Sequence, residues 1–208
     1  MIIDFENLSA DSAYHCMTQS LIPRPVAWVL SENPDGDYNL APFSFFTAIT
    51  ADPPIIMLSV GRKPDGDFKD TRVNIEERKK FVVHIAHEDM AKAMTETSRT
   101  LPFGVSEVSE NRLATVPFDG FELPRLADCR IALACELYQL QEMGNKRQSV
   151  IFAQVSKLYV DDAVGKQDEK GRFRIDAKGA DPIGRLGGGE YVTFGEVLTI
   201  PRPVFFFF

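Results

Sequence analysis

Cationic residues are in short supply in this chain. Lys and Arg number 23 against 30 Asp and Glu, which leaves a formal net charge of -7. A nucleic-acid binder needs a basic stripe to displace counterions from phosphates, so no nucleic-acid partner is expected, and any anionic ligand has to be held locally. Cysteine is scarcer still. Cys16, Cys129 and Cys135 are odd in number and form no C-x-x-C pair. That speaks against a disulfide framework or a zinc knuckle and leaves them as small apolar residues of a reducing compartment. No apolar run approaches the roughly 20 residues that span a bilayer, and "MIIDFENLSADS" has neither the basic start nor the apolar middle of a signal peptide. A cytoplasmic protein with no membrane partner is the expectation.

Templates for protein-borne catalysis are missing as well. His15, His84 and His87 do not form H-E-x-x-H, and the chain has neither G-x-S-x-G nor the G-x-x-x-x-G-K phosphate loop. No catalytic side chain and no metal ligand is assigned. Chemistry must come from a bound cofactor.

What is there is an ordinary single domain, residues 1–208, with 44% hydrophobic content and enough length to bury a core. "RPVAWVLSENPDGDYNLAPFSFF" reads as a buried strand, Val26 to Leu30, followed by dense turn chemistry and hence a hairpin. Ile55 to Val60 forms a second apolar run, introduced by Pro53-Pro54 and closed by Gly61. In "FKDTRVNIEERKKFVVHI", Asp70 or Thr71 can cap a short helix to about Arg78, and "KFVVHIA" follows as a strand. Helical spacing returns in "HEDMAKAMTETS" with Asp89 as a cap, and a short helix is read near Ser106 to Leu113. "CRIALACELYQL" alternates with Cys129, Ile131, Leu133, Cys135 and Leu137 on one face, and "EMGNKRQ" joins it to "SVIFAQVSKLYV". One more short strand is read at Arg172 to Ile175. Hairpin-linked strands with few short helices favour an antiparallel closed or nearly closed barrel over a parallel βαβ sheet.

Three stretches carry possible chemistry. At Lys69-Asp70-Thr71 a helix start offers unpaired N–H groups and the positive end of its dipole beside a lysine and a hydroxyl. Such a site can seat a phosphate, or Asp70 and Thr71 merely cap the helix. Arg62 and Lys63 lean toward the same spot or serve as ordinary turn charges. "NLAPFSFFTAIT" can offer extended backbone to the edge of a flat heterocycle while its aromatics cover the face, or Phe43, Phe45 and Phe46 are simply core. "PIGRLGGGEYV" allows close backbone approach to a ligand or partner, or forms a flexible loop.

Taken in order, "RPVAWVLS", "NLAPFSFF", "DPPIIMLSVG", "KDTRVNI" and "FVVHI" resemble the flavin reductase-like family of FMN-binding split-barrel proteins. The resemblance implies a mainly β fold, a Greek-key antiparallel six-stranded barrel with helical insertions, and a homodimer with FMN near the interface. It implies that Asn39, Ala41, Pro42, Ser44, Phe45, Phe46 and Thr47 lie along the isoalloxazine and ribityl chain. Ser59, Gly61 and Arg62 at the turn, with Lys69, Asp70 and Thr71, would then grip the phosphate, Asp70 shaping the turn rather than facing the dianion. NADH or NADPH would be the hydride donor and a small molecule the acceptor. Many family members carry a histidine where this chain has Gln148, which can hydrogen-bond an amide but supplies no imidazole. The four terminal phenylalanines, Phe205 to Phe208, are expected to pack against the barrel or a partner subunit.

Overall fold

The computed structural model describes residues 1–145, 147–201 and 203. The expectation for Phe205 to Phe208 lies outside them. A seven-stranded antiparallel sheet dominates. Its strands are β1 (Ala27–Glu32), β2 (Tyr38–Phe43), β3 (Phe46–Ala51), β4 (Pro54–Val60), β5 (Lys80–Ile85), β6 (Ile131–Met143) and β7 (Gln148–Val160). They run in the order β2-β1-β5-β6-β7-β4-β3. Residues 46–51, read from sequence only as extended backbone, pair along β4 from Phe46↔Leu58 to Ala51↔Pro54 and supply one edge of the sheet.

The turn residues set the registers. The β1–β2 hairpin pairs Leu30 with Leu40 and Ala27 with Phe43, its turn closed by the Asn33 N–H on the Asp37 carbonyl. The β6–β7 hairpin pairs Met143 with Gln148. Central strands are covered on both faces, which explains why β1 reads as a continuous apolar run instead of alternating. One face gathers Val29, Phe81, Val83, Leu58 and Ile151 inside the curled sheet. The other gathers Trp28, Leu30, Val82 and Ala134 beneath the helices and the connection after them.

Four helices bear on the site: α1 (Ala10–Ser20), α2 (Asp70–Arg78), α3 (Ala91–Glu96) and α4 (Glu107–Glu110). Little in the local pattern announces α1, since Thr18 is its one buried residue and no apolar stripe marks it; its signal is the Ser9 side chain, which accepts from the Ser12 N–H. Asp89 does not cap α3, because a 3-10 turn over Glu88–Met90 precedes that helix. Ser106 does cap α4, which ends at Glu110. Cys129 precedes β6 and packs in the outer cluster, away from Cys135 on the inner face. Cys129 and Cys135 are buried, whereas Cys16 on α1 is half-exposed. Among the described residues no helix is long and apolar enough to cross a membrane.

Candidate functional site

The two edge strands of the sheet, β2 and β3, are consecutive in the chain and joined only by Ser44 and Phe45. They do not pair with each other; the bend between them is tied to β4, where the Ser59 N–H donates to the Phe45 carbonyl at 2.9 Å. The sheet thus curls until its edges nearly meet and leaves a seam. A cavity of about 920 Å³ opens there, within the size range of cofactor pockets.

Each wall comes from a different element. β2 and the bend contribute Pro42, Phe43, Ser44 and Phe45. The end of β4 and its turn contribute Ser59, Gly61, Arg62, Lys63 and, past the turn, Lys69. The β6–β7 hairpin adds Asn145, Arg147 and Gln148, and α1 adds Tyr14. Tyr14 tilts against Phe45 with ring centroids 6.2 Å apart. A Cβ on Gly61 would stand 3.5 Å from the Gln148 amide nitrogen, so the turn and the hairpin approach closely at this point.

The cavity is cationic in a chain of net charge -7, and no Asp or Glu lines it. Lys63 pairs with Asp70 at 2.5 Å. Arg62 stacks on Phe68, its guanidinium carbon 3.6 Å from the ring centroid, and Arg72 of α2 stacks on the same ring at 3.8 Å. Two guanidiniums cannot share one face at those distances, so Phe68 is sandwiched and ties the turn to the helix. Lys69 differs. Its ammonium sits 5.5 Å from the Phe43 ring, burial lowers its pKa, and among the described residues no carboxylate pairs with it. A positive charge taken partly out of water without a partner is an anion site in waiting.

The start of α2 reinforces it. Neither Asp70 nor Thr71 caps this helix: Lys69 is the capping residue, and its side chain makes no capping hydrogen bond. The would-be caps are engaged elsewhere. Asp70 holds Lys63 and accepts from the Gly104 N–H at 3.2 Å. The Thr71 hydroxyl, buried to 1% exposure, accepts from the Asn39 side-chain amide at 2.8 Å. Asn39 also donates to Ser31, and Asn74 bonds both Ser31 and Asn33, so a buried polar network locks α2 onto the β1–β2 hairpin. The positive end of α2 is therefore held in place; the Arg72 and Val73 N–H groups close on the Lys69 carbonyl, which leaves those of Asp70 and Thr71 at the helix start.

Of the residues expected at the site, Pro42, Ser44, Phe45, Ser59, Gly61, Arg62 and Lys69 come together around the cavity. Asn39, Asp70 and Thr71 stand behind it, where they anchor Lys63 and the start of α2. Ala41 and Phe46 pack against the inner cluster, and Thr47 is exposed on β3. Tyr14, Asn145 and Arg147 also line the cavity, although no motif in the sequence marks them. They arrive from segments distant in the chain, and only the curling of the sheet brings them in.

Two further titratable groups are buried, Glu107 beside Lys69 and Asp70 and His84 elsewhere in the sheet. Glu107 of α4 accepts from the Leu40 N–H at 2.9 Å, and burial pushes its pKa up to about 7, with Asp70 adding to the rise. His84 of β5 accepts from the Leu126 N–H at Nε2, which leaves the Nδ1 proton for the Trp28 carbonyl at 3.1 Å. Burial holds it neutral, at a pKa of about 4.

A second, smaller cavity of about 400 Å³ adjoins the first, sharing Tyr14, Pro42 and Ser44 with it. Its far wall is the glycine-rich hairpin formed by the short strands Gly184–Arg185 and Tyr191–Val192, the first of which pairs with Arg24–Pro25. Arg24 is buried and spends its donors on the carbonyls of Thr18, Leu21 and Leu186, so it knots α1 to this hairpin.

Solved structures share this fold. Nitrilotriacetate monooxygenase component B from Bacillus cereus is 33% identical, with a TM-score of 0.87 over 96% of this chain and 98% of that one. The 2-nitrobenzoate 2-nitroreductase NbaA of Pseudomonas fluorescens is 30% identical, with a TM-score of 0.87 over 99% of this chain and 98% of that one. A flavin reductase-type split-barrel protein of Shewanella frigidimarina, 19% identical, shares the fold with a TM-score of 0.82 over 98% of this chain and all of that one. Residues 18–175 match the model of the flavin reductase like domain. With its curled antiparallel sheet and seam cavity, the chain belongs to the flavin reductase-like family of split-barrel proteins.

Proposed function

We propose that the seam cavity binds FMN and that the protein moves a hydride from NADH or NADPH, through that flavin, to free flavin, ferric iron or another small acceptor. The observation that carries this reading is a cation-lined cavity in an acidic chain: Lys63 pairs with Asp70, and Arg62 and Arg147 with Glu142, from outside the lining, whereas Lys69, beside the start of α2, pairs with no carboxylate among the described residues. Those residues fit a flavin mononucleotide. Lys69, Arg62 and the first amides of α2 would hold the phosphate, where charge and aligned dipoles act together. Asp70 and Thr71 support them from behind by fixing the turn and the helix. Pro42, at the end of β2, and Ser44 and Phe45, in the bend after it, would flank the ring, and Tyr14 and Phe43 would limit water's access to it. When bound, FMN supplies the hydride exchange itself. The names of two relatives, a monooxygenase component and a nitroreductase, support an electron-delivering role.

A second reading is favoured by Gln148. It lines the cavity, and an amide neither takes nor gives a proton near neutral pH, so the flavin here can instead serve a protein partner as an electron carrier. A homodimer is part of the proposal, supported by the exposure of most of β3, including Ile49, and of Tyr138, Met143 and Leu158 on the long β6–β7 hairpin. The test is an anaerobic absorbance scan of FMN-loaded protein before and after NADH, then NADPH. Bleaching of the flavin band by either donor supports the reductase, and a yellow protein left oxidised by both supports the carrier. A protein that takes up no FMN overturns both.

A further inference from the structure

The second cavity has no assigned occupant, and its chemistry is specific. No Asp or Glu lines it. Arg24 is consumed by three carbonyls, whereas Arg185 donates to one, that of Gly188: its guanidinium lies 4.6 Å from the Tyr191 ring and pairs with no carboxylate among the described residues. Tyr14 and Tyr191 give the cavity aromatic surfaces, and the Thr95 hydroxyl, 3.3 Å from the Tyr191 oxygen, adds polar edge. A volume of about 400 Å³ is at the low end for ligand pockets and fits one substituted ring rather than a dinucleotide. The walls are built rather than incidental, since Arg24 bonds both α1 and the hairpin, and Gly187 packs so tightly on Gln19 that a Cβ would stand 2.3 Å from its side chain.

We propose that this cavity binds small aromatic or conjugated carboxylates, with Arg185 taking the carboxylate and the tyrosines the ring, directly beside the flavin cavity through the shared Tyr14, Pro42 and Ser44. A guanidinium matches a carboxylate through parallel N–H donors, and a planar ring stacks on tyrosine without strain. The occupant's place next to the flavin makes this the acceptor side of the protein, a conclusion that rests on FMN filling the seam cavity.

Benzoate is the probe and benzamide its neutral counterpart, both titrated calorimetrically into FMN-loaded protein. Wild type should bind benzoate, Arg185→Gln should bind it roughly 10- to 100-fold more weakly, the usual worth of a hydrogen bond to a charged group, and benzamide should not distinguish the two proteins. Gly189→Leu is the second variant. Gly189 lines the cavity and a Cβ there would meet nothing within 4 Å, so a leucine should crowd the cavity without disturbing the wall and weaken benzoate binding. FMN affinity should be unchanged in both variants. Benzoate that fails to bind wild type, or that binds Arg185→Gln or Gly189→Leu as tightly as wild type, overturns the proposal. If the protein takes up no FMN, the same titration on the FMN-free chain tests the carboxylate site by itself, so the two readings fail separately.

Discussion

Replacing Lys69 with methionine should pull stability and flavin affinity in opposite directions. The ammonium is partly buried, its pKa is lowered by desolvation, and no acid among the described residues compensates it. A lysine whose folded pKa lies below its unfolded value makes the unfolded state the better proton binder. Its charge then destabilises the fold at neutral pH, and the penalty is relieved only as pH rises through the folded pKa. Lys69→Met, which keeps the stem over Phe43, should therefore melt at the same temperature as the FMN-free wild type or higher. The loaded protein should behave oppositely. Two unit charges about 4 Å apart interact by roughly 4 kcal/mol at an effective dielectric near 20, and solvent and the neighbouring α2 amides share that, leaving about 1.4–2.7 kcal/mol, or a 10- to 100-fold rise in the FMN dissociation constant. Quenching of flavin fluorescence on titration reads the affinity, and thermal melts with and without FMN read the stability. FMN binding in wild type should also weaken as pH rises through the folded Lys69 pKa. Unchanged affinity in Lys69→Met, or a lower melting point without FMN, would refute the reasoning.

Other consequences are separable from it. His84 and Glu107 oppose one another in pH. His84, depressed to about 4 from 6.5, costs stability as pH falls through that window, by about 3 kcal/mol. Glu107, raised to about 7 from 4.5, costs stability as pH rises through its own, by about 2 kcal/mol after screening. Wild-type urea midpoints should thus vary little between about pH 4 and 7 through these two groups, whereas Glu107→Gln should be more stable at pH 8 and fall steeply toward pH 4; a flat profile in that variant would count against the assignment. Gly184→Ala should lower the melting temperature, because the new Cβ meets Pro23 at 2.8 Å and Val192 at 3.0 Å, an overpacking worth roughly 1–3 kcal/mol. Thr71→Val should cost about 1 kcal/mol by orphaning an Asn39 donor while leaving the cavity lining intact, so FMN affinity should fall far less than in Lys69→Met. Equal losses in the two variants would restore Thr71 as a direct phosphate contact.

Local chemistry makes part of this legible in advance. The β1–β2 and β6–β7 hairpins, the helix after Lys69 and the mainly β fold follow from turn residues and apolar runs, which act over a few positions. The α1 helix does not show, because its role is to carry Tyr14 and Arg24's carbonyl partners rather than to bury an apolar face. The capping of α2 departs from expectation for a related reason. Asp70 and Thr71 are good caps by type, yet long-range partners, Lys63 and Asn39, claim them first. The same closure in three dimensions recruits Arg147 and Asn145, which no spacing rule links to Lys69.

Phe68, held between Arg62 and Arg72, sets how the turn after β4 can move. The turn is a small hairpin of its own, with the Lys63 N–H on the Asp67 carbonyl and Arg62 bridged to Phe68. Losing the ring, as in Phe68→Ala, would remove the one surface on which both guanidiniums stack and would uncouple the turn from α2, leaving the charges at the seam without what sets their spacing.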